Sequence, residues 1–127
     1  MIDVTVLDLN DGFHADVSGH AGFAPKGQDI VCAGVSALSD ALVRMIELYR
    51  PELNSIKLNI NEGWLSLAVE SLSGMTLKAM EAAFMMFYFG VKGIADEYPE
   101  HVRIAYYEYS EKGFVNKDTS EQTMNNE

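Results

Sequence analysis

The chemistry available to this chain begins with one sulfur. Cys32 is the only cysteine among the 127 residues. It falls in the first turn of a helix that apolar spacing places from Ile30 to about Tyr49. Unsatisfied N–H groups and the positive end of the helix dipole at such a place favour a thiolate over a thiol. On a helical wheel the core stripe centres near Leu42 and Tyr49. At ~100° per residue Cys32 lies roughly a quarter-turn from that stripe, on the side of Ser36, Ser39 and Val43. The sulfur is expected at the rim of the core, within reach of a substrate.

A base for that sulfur is available in His20, which ends a strand just before the loop leading into the helix. A chain that leaves a strand, makes a short excursion and enters a helix can return close to its start. An imidazole against a thiol gives the thiolate–imidazolium pair of cysteine hydrolases, and the helix terminus can lend N–H groups to an oxyanion. Asp29 either caps the helix by accepting orphan N–H bonds or orients His20. The bland alternative has weight. A lone cysteine in an apolar helix is more often buried and inert, and a histidine at a strand end is usually solvated.

The elements that must position these residues follow from periodicity. Ile2, Val4 and Val6 alternate as a half-buried strand. The phase slips at Leu7 and Leu9, which calls for a bulge near Val6-Leu7 or a strand end covered on both faces. Asn10-Asp11-Gly12 is turn chemistry, and Phe13, Ala15 and Val17 return as a second strand. The loop from Ala21 to Gln28, with Gly22, Gly27 and a proline, has no period and is expected to be exposed. Pro51 closes the first helix. A second hairpin pairs Ile56–Ile60 with Trp64–Glu70 across Asn61-Glu62-Gly63. Trp64 is expected to pack a strand face. A longer helix from Gly74 to about Ala95 carries a stripe through Leu77, Met80, Phe84, Phe87, Tyr88 and Val91. Beside it lies a second apolar band through Met75, Ala79, Ala82, Met86 and Phe89. So apolar a helix needs cover on more than one side: it is a deep core helix, or a core helix that also builds a dimer interface. His101–Glu108 forms the last strand. His14 and His101 are read as strand histidines without an assigned function. The expectation is an α+β, two-layer β-β-α-β-β-α-β domain over residues 1–112. Its sheet is mostly antiparallel or mixed, with two main helices, and residues 113–127 form a polar, disordered tail.

Bulk properties exclude several classes. A formal charge of −10, from 19 acidic and 9 basic residues, disfavours direct nucleic-acid binding and suits a basic peptide or protein segment. One cysteine allows no internal disulfide and no multi-cysteine metal site. No phosphate-cradling or dinucleotide fingerprint occurs, and no cofactor or metal is expected. The N-terminal stretch is not a signal peptide, and the most apolar run, Ala82 to Val91, is too short to span a bilayer. The cytoplasm, where a free thiol survives, is the expected compartment.

Two stretches carry a resemblance: Gly19-His20-Ala21-Gly22, and Gly27-Gln28-Asp29-Ile30-Val31-Cys32-Ala33-Gly34-Val35-Ser36-Ala37-Leu38. Together they resemble the signature of the ribosomal-processing cysteine protease family (Prp, YsxB-like), with matching element order over about residues 1–110. The resemblance implies removal of a short N-terminal extension from a large-subunit ribosomal protein, number twenty-seven. It implies His20 as general base, Cys32 as nucleophile, and Asp29 and Ser36 at accessory polar positions. The loop bearing Gly22 and Gly27 would move to admit substrate, and the active form would be a homodimer. The family's substrate is aromatic-rich before the cut and basic after it. Two other functions compete with this one. A non-catalytic ribosome-assembly adaptor would bind a basic protein segment without cutting it. A redox-sensing thiol would form a sulfenic acid at Cys32, though it lacks a resolving cysteine.

Overall fold

A computed structural model describes residues 1–118. The chain runs β1 (Ile2–Asp8), β2 (Phe13–Gly19), α1 (Ile30–Tyr49), a short 3-10 turn (Arg50–Glu52), β3 (Ser55–Asn61) and β4 (Trp64–Glu70). It continues with α2 (Gly74–Glu97), β5 (Val102–Ser110) and β6 (Gly113–Asn116). The six strands make one sheet in the order β3-β4-β2-β1-β5-β6. Only the β1–β5 pair is parallel; the others are antiparallel. A parallel pair cannot close through a tight turn, and α2 lies on the long crossover that brings the chain to β5. The expected α+β class and mixed sheet are therefore present, with a sixth strand added.

Alternation in β1 persists to its end. Ile2, Val4 and Val6 are buried, while Asp3, Thr5 and Leu7 lie on the opposite face. The register with β2 runs unbroken from Ile2 opposite Gly19 to Asp8 opposite Phe13. Of the two explanations for the apolar slip, the bulge is excluded. Leu7 is half-buried on the outer face, opposite His14 on one side and Tyr107 on the other.

Both helices cover the inner face. α1 buries Val31, Val35, Leu42 and Ile46, four side chains at helical spacing, each stabilising the fold by about 1.5–3 kcal/mol. α2 buries Met80, Phe84, Phe87, Tyr88 and Val91, and Phe84 stacks on Phe13 of β2 at 5.1 Å. The second apolar band behaves otherwise: Met75, Met86 and Phe89 are 86%, 71% and 60% exposed. Among the described residues nothing covers these three side chains.

Two expectations at the C-terminal end are corrected. His101 lies in the turn before β5 rather than in a strand, its amide donating to the Tyr98 carbonyl at 2.9 Å. Residues 113–116, expected in the tail, form β6, with Tyr109 opposite Phe114 and their rings 5.6 Å apart. That aromatic pair supplies the cross-strand contact a polar tail would lack. Beyond β6, the Asp118 carboxylate accepts from the Tyr88 hydroxyl and pairs with Lys92, each at 3.0 Å. The rest of the expected tail, 119–127, lies outside the described residues. No helix of the described residues is long and apolar enough to cross a membrane.

Candidate active site

Asp29 is the residue that turns the loop into α1. Its backbone is extended (φ −85, ψ 96), its Oδ1 accepts the Cys32 amide at 2.9 Å, and its carbonyl accepts the Ala33 amide at 3.0 Å. This is helix capping by a carboxylate, and it fixes Cys32 as the third residue of the helix. The other oxygen, Oδ2, accepts the Phe23 amide at 3.1 Å, tying the loop to the helix. The Cys32 amide above all holds the Asp29 carboxyl below the usual range; desolvation opposes this, and the Phe23 amide adds to it. Of the two parts considered for Asp29, the geometry is that of the cap. The same bond occupies the Cys32 N–H, so this amide is not the free oxyanion donor expected of the helix terminus.

His20 follows the last residue of β2. The strand end is held by the Gly19 amide on the Gly63 carbonyl at 2.9 Å. The N-terminal ammonium of Met1 donates to the His20 carbonyl at 2.6 Å. The ring lies against the β3–β4 turn: a Cβ on Gly63 would stand 2.9 Å from His20 Nε2. Gly63 has φ +75, a conformation in which glycine escapes the Cβ penalty. The turn glycine is thus also the seat of the imidazole.

One hydrogen bond ties the two halves together. The backbone N–H of Ala21, the residue after His20, donates to Cys32 Sγ at 3.3 Å. Among the described residues it is this amide, rather than the imidazole, that bonds the sulfur. His20 and Cys32 nevertheless border the same two cavities. One, of about 330 Å³, lies between the sheet (Ile2, Val17, Leu65) and α1 (Val35, Ser39, Val43), with Ile60 and Trp64 on its border. The other, of about 600 Å³, is bordered by the loop, including Gly22 and Gly27, by Asp29 and by Glu62. Ser36, one helical turn beyond Cys32, borders both. Gly22 and Gly27 adopt φ +65 and +90, with open space where a side chain would be. The loop is exposed, as expected, except at Ala21, which is buried at 2% exposure, and at half-buried Ala24.

Several parts of this arrangement escape a reading of the sequence. Trp64, expected to pack a strand face, is 40% exposed and borders the apolar cavity. Ile60 points to the inner face, in register with buried Leu65, yet is 61% exposed, so it forms an apolar wall. His101 places Nδ1 at 2.7 Å from the Ala21 carbonyl. The β2–β4 pairing that sets Ser18 opposite Trp64 brings the second hairpin to His20. The turn residues were visible in the sequence, whereas their partner strand was not. No group of three or more His, Cys, Asp or Glu among the described residues could hold a metal ion.

With this geometry in view, comparisons with known proteins agree on one family. The model of the family described as cysteine protease Prp matches residues 1–103. The essential ribosomal processing protease Prp from S. aureus, solved with a covalently linked product peptide, is 24% identical. That match covers 84% of this chain and 99% of the other, with a TM-score of 0.64. A Streptococcus mutans protein is 26% identical, covering 85% and 95% of the two chains at a TM-score of 0.61. The S. aureus enzyme with a substrate peptide is 22% identical, covering 84% and 99% at a TM-score of 0.58. No match was found among curated proteins.

Proposed function

The chain belongs to the cysteine protease Prp family, and on that premise we propose that Cys32 is its nucleophile and His20 its general base. The single observation that carries the assignment is the shared border of His20 and Cys32 on two cavities, with the intervening Ala21 amide bonded to the sulfur. His20 takes the proton of the thiol, and the thiolate attacks the peptide carbonyl carbon. The C–N bond breaks as the imidazolium returns the proton to the leaving amine, leaving a thioester on Cys32. Water, deprotonated by His20, then releases the acid and regenerates the thiol. The S. aureus enzyme that shares this fold, solved with a product and with a substrate peptide, is a ribosomal processing protease. The substrate proposed here is accordingly the N-terminal extension of a ribosomal protein precursor, number twenty-seven of the large subunit.

Two cavities that share His20 and Cys32 on their borders suit a chain passing across the pair. The one bordered by Ile60 and Trp64 would take an aromatic or aliphatic side chain of the extension, and the acidic surface would favour a basic continuation. We place the enzyme in the cytoplasm as a homodimer without direct nucleic-acid contact. The exposed band of Met75, Met86 and Phe89 supports the dimer, and the charge of −10 argues against nucleic acid. Residues 1–112 carry the protease unit in this reading, with β6 completing its sheet. Ser36 and the loop glycines serve substrate access.

Incubating the protein with a peptide spanning the extension and weighing the fragments tests the reading. One cut at one bond is expected. Intact, folded protein that binds the peptide and leaves it whole would instead support the adaptor function.

A further inference from the structure

We infer that His101 is a positioning residue for the nucleophile: its Nδ1–H holds the Ala21 carbonyl and so keeps the Ala21 N–H aimed at Cys32 Sγ. This rests on Cys32 being the nucleophile.

The contact is short, 2.7 Å, and partly buried. A carbonyl oxygen only accepts, so Nδ1 must carry the proton. Both the neutral Nδ1–H tautomer and the imidazolium satisfy this, and the clasp does not depend on the charge of the ring. Ala21 thus has both backbone groups engaged in the interior, its N–H on the sulfur at 3.3 Å and its carbonyl on His101. A hydrogen bond to a charged acceptor is stronger than one to a neutral acceptor, so this N–H contributes most at the moment the sulfur attacks.

The two peptide planes flanking Ala21 are held from different places. The plane containing the Ala21 N–H is held at one point, where the His20 carbonyl accepts from the Met1 ammonium, and it still turns about the Ala21 Cα unless the next plane is held too. The plane containing the Ala21 carbonyl leads into Gly22, where φ is +65 and nothing crowds the Cα. At that soft point His101 supplies the restraint. His101 is itself anchored, since its carbonyl accepts the Ile2 amide at 2.8 Å and its amide donates to Tyr98 at 2.9 Å.

A purely structural role competes with positioning. The His101 ring also meets Phe23 edge-on at 5.4 Å, and Phe23 meets Tyr98 likewise at 5.4 Å. His101 could therefore act only by packing the loop. Asparagine separates the two roles, because its side-chain amide can donate from nearly the place of Nδ1 but offers no ring.

The test uses the full chain, whose single cysteine makes alkylation unambiguous. Iodoacetamide alkylation at pH 7 and cleavage of the extension peptide are measured for wild type, His101→Ala, His101→Asn and Phe23→Leu. His101→Ala is expected to slow alkylation and kcat about tenfold, the scale of losing the aim of the Ala21 N–H on the charged sulfur, with KM nearly unchanged. His101→Asn is expected to restore both rates, and Phe23→Leu to keep the wild-type alkylation rate. Alkylation unchanged in His101→Ala, or unrestored in His101→Asn, overturns the inference. So does a Phe23→Leu variant as slow as His101→Ala. If wild type leaves the peptide uncut, the protease assignment fails, while the alkylation series still decides the role of His101.

Discussion

The imidazole of His20 occupies the space that a side chain at residue 63 would need, with Nε2 only 2.9 Å from where a Cβ on Gly63 would stand. Gly63→Ala must therefore push the ring aside or distort the turn. It also places a side chain at φ +75, at a cost of about 1–2 kcal/mol. A lower melting temperature and a kcat reduced at least about tenfold are expected, since small misplacements of catalytic groups are expensive. Thermal denaturation and steady-state kinetics on one sample measure both. A lowered melting temperature with unchanged kcat would mean that the ring has other room.

Asp29 gives a pH dependence whose sign is fixed. Its carboxyl titrates below the ordinary value of 3.8, chiefly because of the Cys32 amide. A lowered carboxyl stabilises the fold fully above the ordinary range and loses that effect as pH falls through the lowered value. The melting-temperature gap between wild type and Asp29→Ala is expected to stay constant from pH 8 to 6 and to close in strong acid. Asp29→Asn, which can still cap, is expected to keep both fold and activity at neutral pH. A large loss of kcat in Asp29→Asn with an intact melting temperature would revive a role in orienting His20.

Ile60 is an inward-facing strand residue that is largely exposed at the border of the apolar cavity. Ile60→Ser is expected to change stability by less than about 0.5 kcal/mol, as for other exposed sites. KM for a peptide with an apolar side chain before the cut should rise about three- to tenfold through lost contact area. Kinetics with the extension peptide decide the point; an unchanged KM would place the substrate elsewhere.

The exposed apolar face of α2 offers a test of the proposed dimer. Met86, 71% exposed, also borders an apolar groove of about 390 Å³ between the helices, together with Leu38, Met45 and Tyr49. Met86→Glu is expected to turn the proposed dimer into a monomer in sedimentation at micromolar concentration. A dimer that survives this change would have to use another face.

How far the sequence alone reached can be traced residue by residue. Local signals carried α1, its Asp29 cap, both early hairpins and the position of Cys32, because period, cap chemistry and turn glycines act over a few residues. The nearness of His20 to Cys32 was legible only as a possibility, since loop return is a matter of chain geometry. What stayed hidden depends on long-range pairing. Gly63 reaches His20 through the β2–β4 register, and His101 reaches Ala21 across 80 residues. β6 was missed because four residues beside a polar run give too short a period to detect. The apolar slip at Leu7 misled because one half-buried outer-face leucine looks like a change of phase.

The most direct measurement is a search for covalent acyl-enzyme. The protein is mixed with the extension peptide, quenched in acid within the first turnover, digested and weighed. The expected result is the N-terminal fragment of the peptide joined as a thioester to the segment carrying Cys32. The adduct should be absent in Cys32→Ala and formed at least about a hundredfold more slowly in His20→Ala. Cleavage that continues in Cys32→Ala, or an adduct that forms at the wild-type rate without His20, would contradict the account.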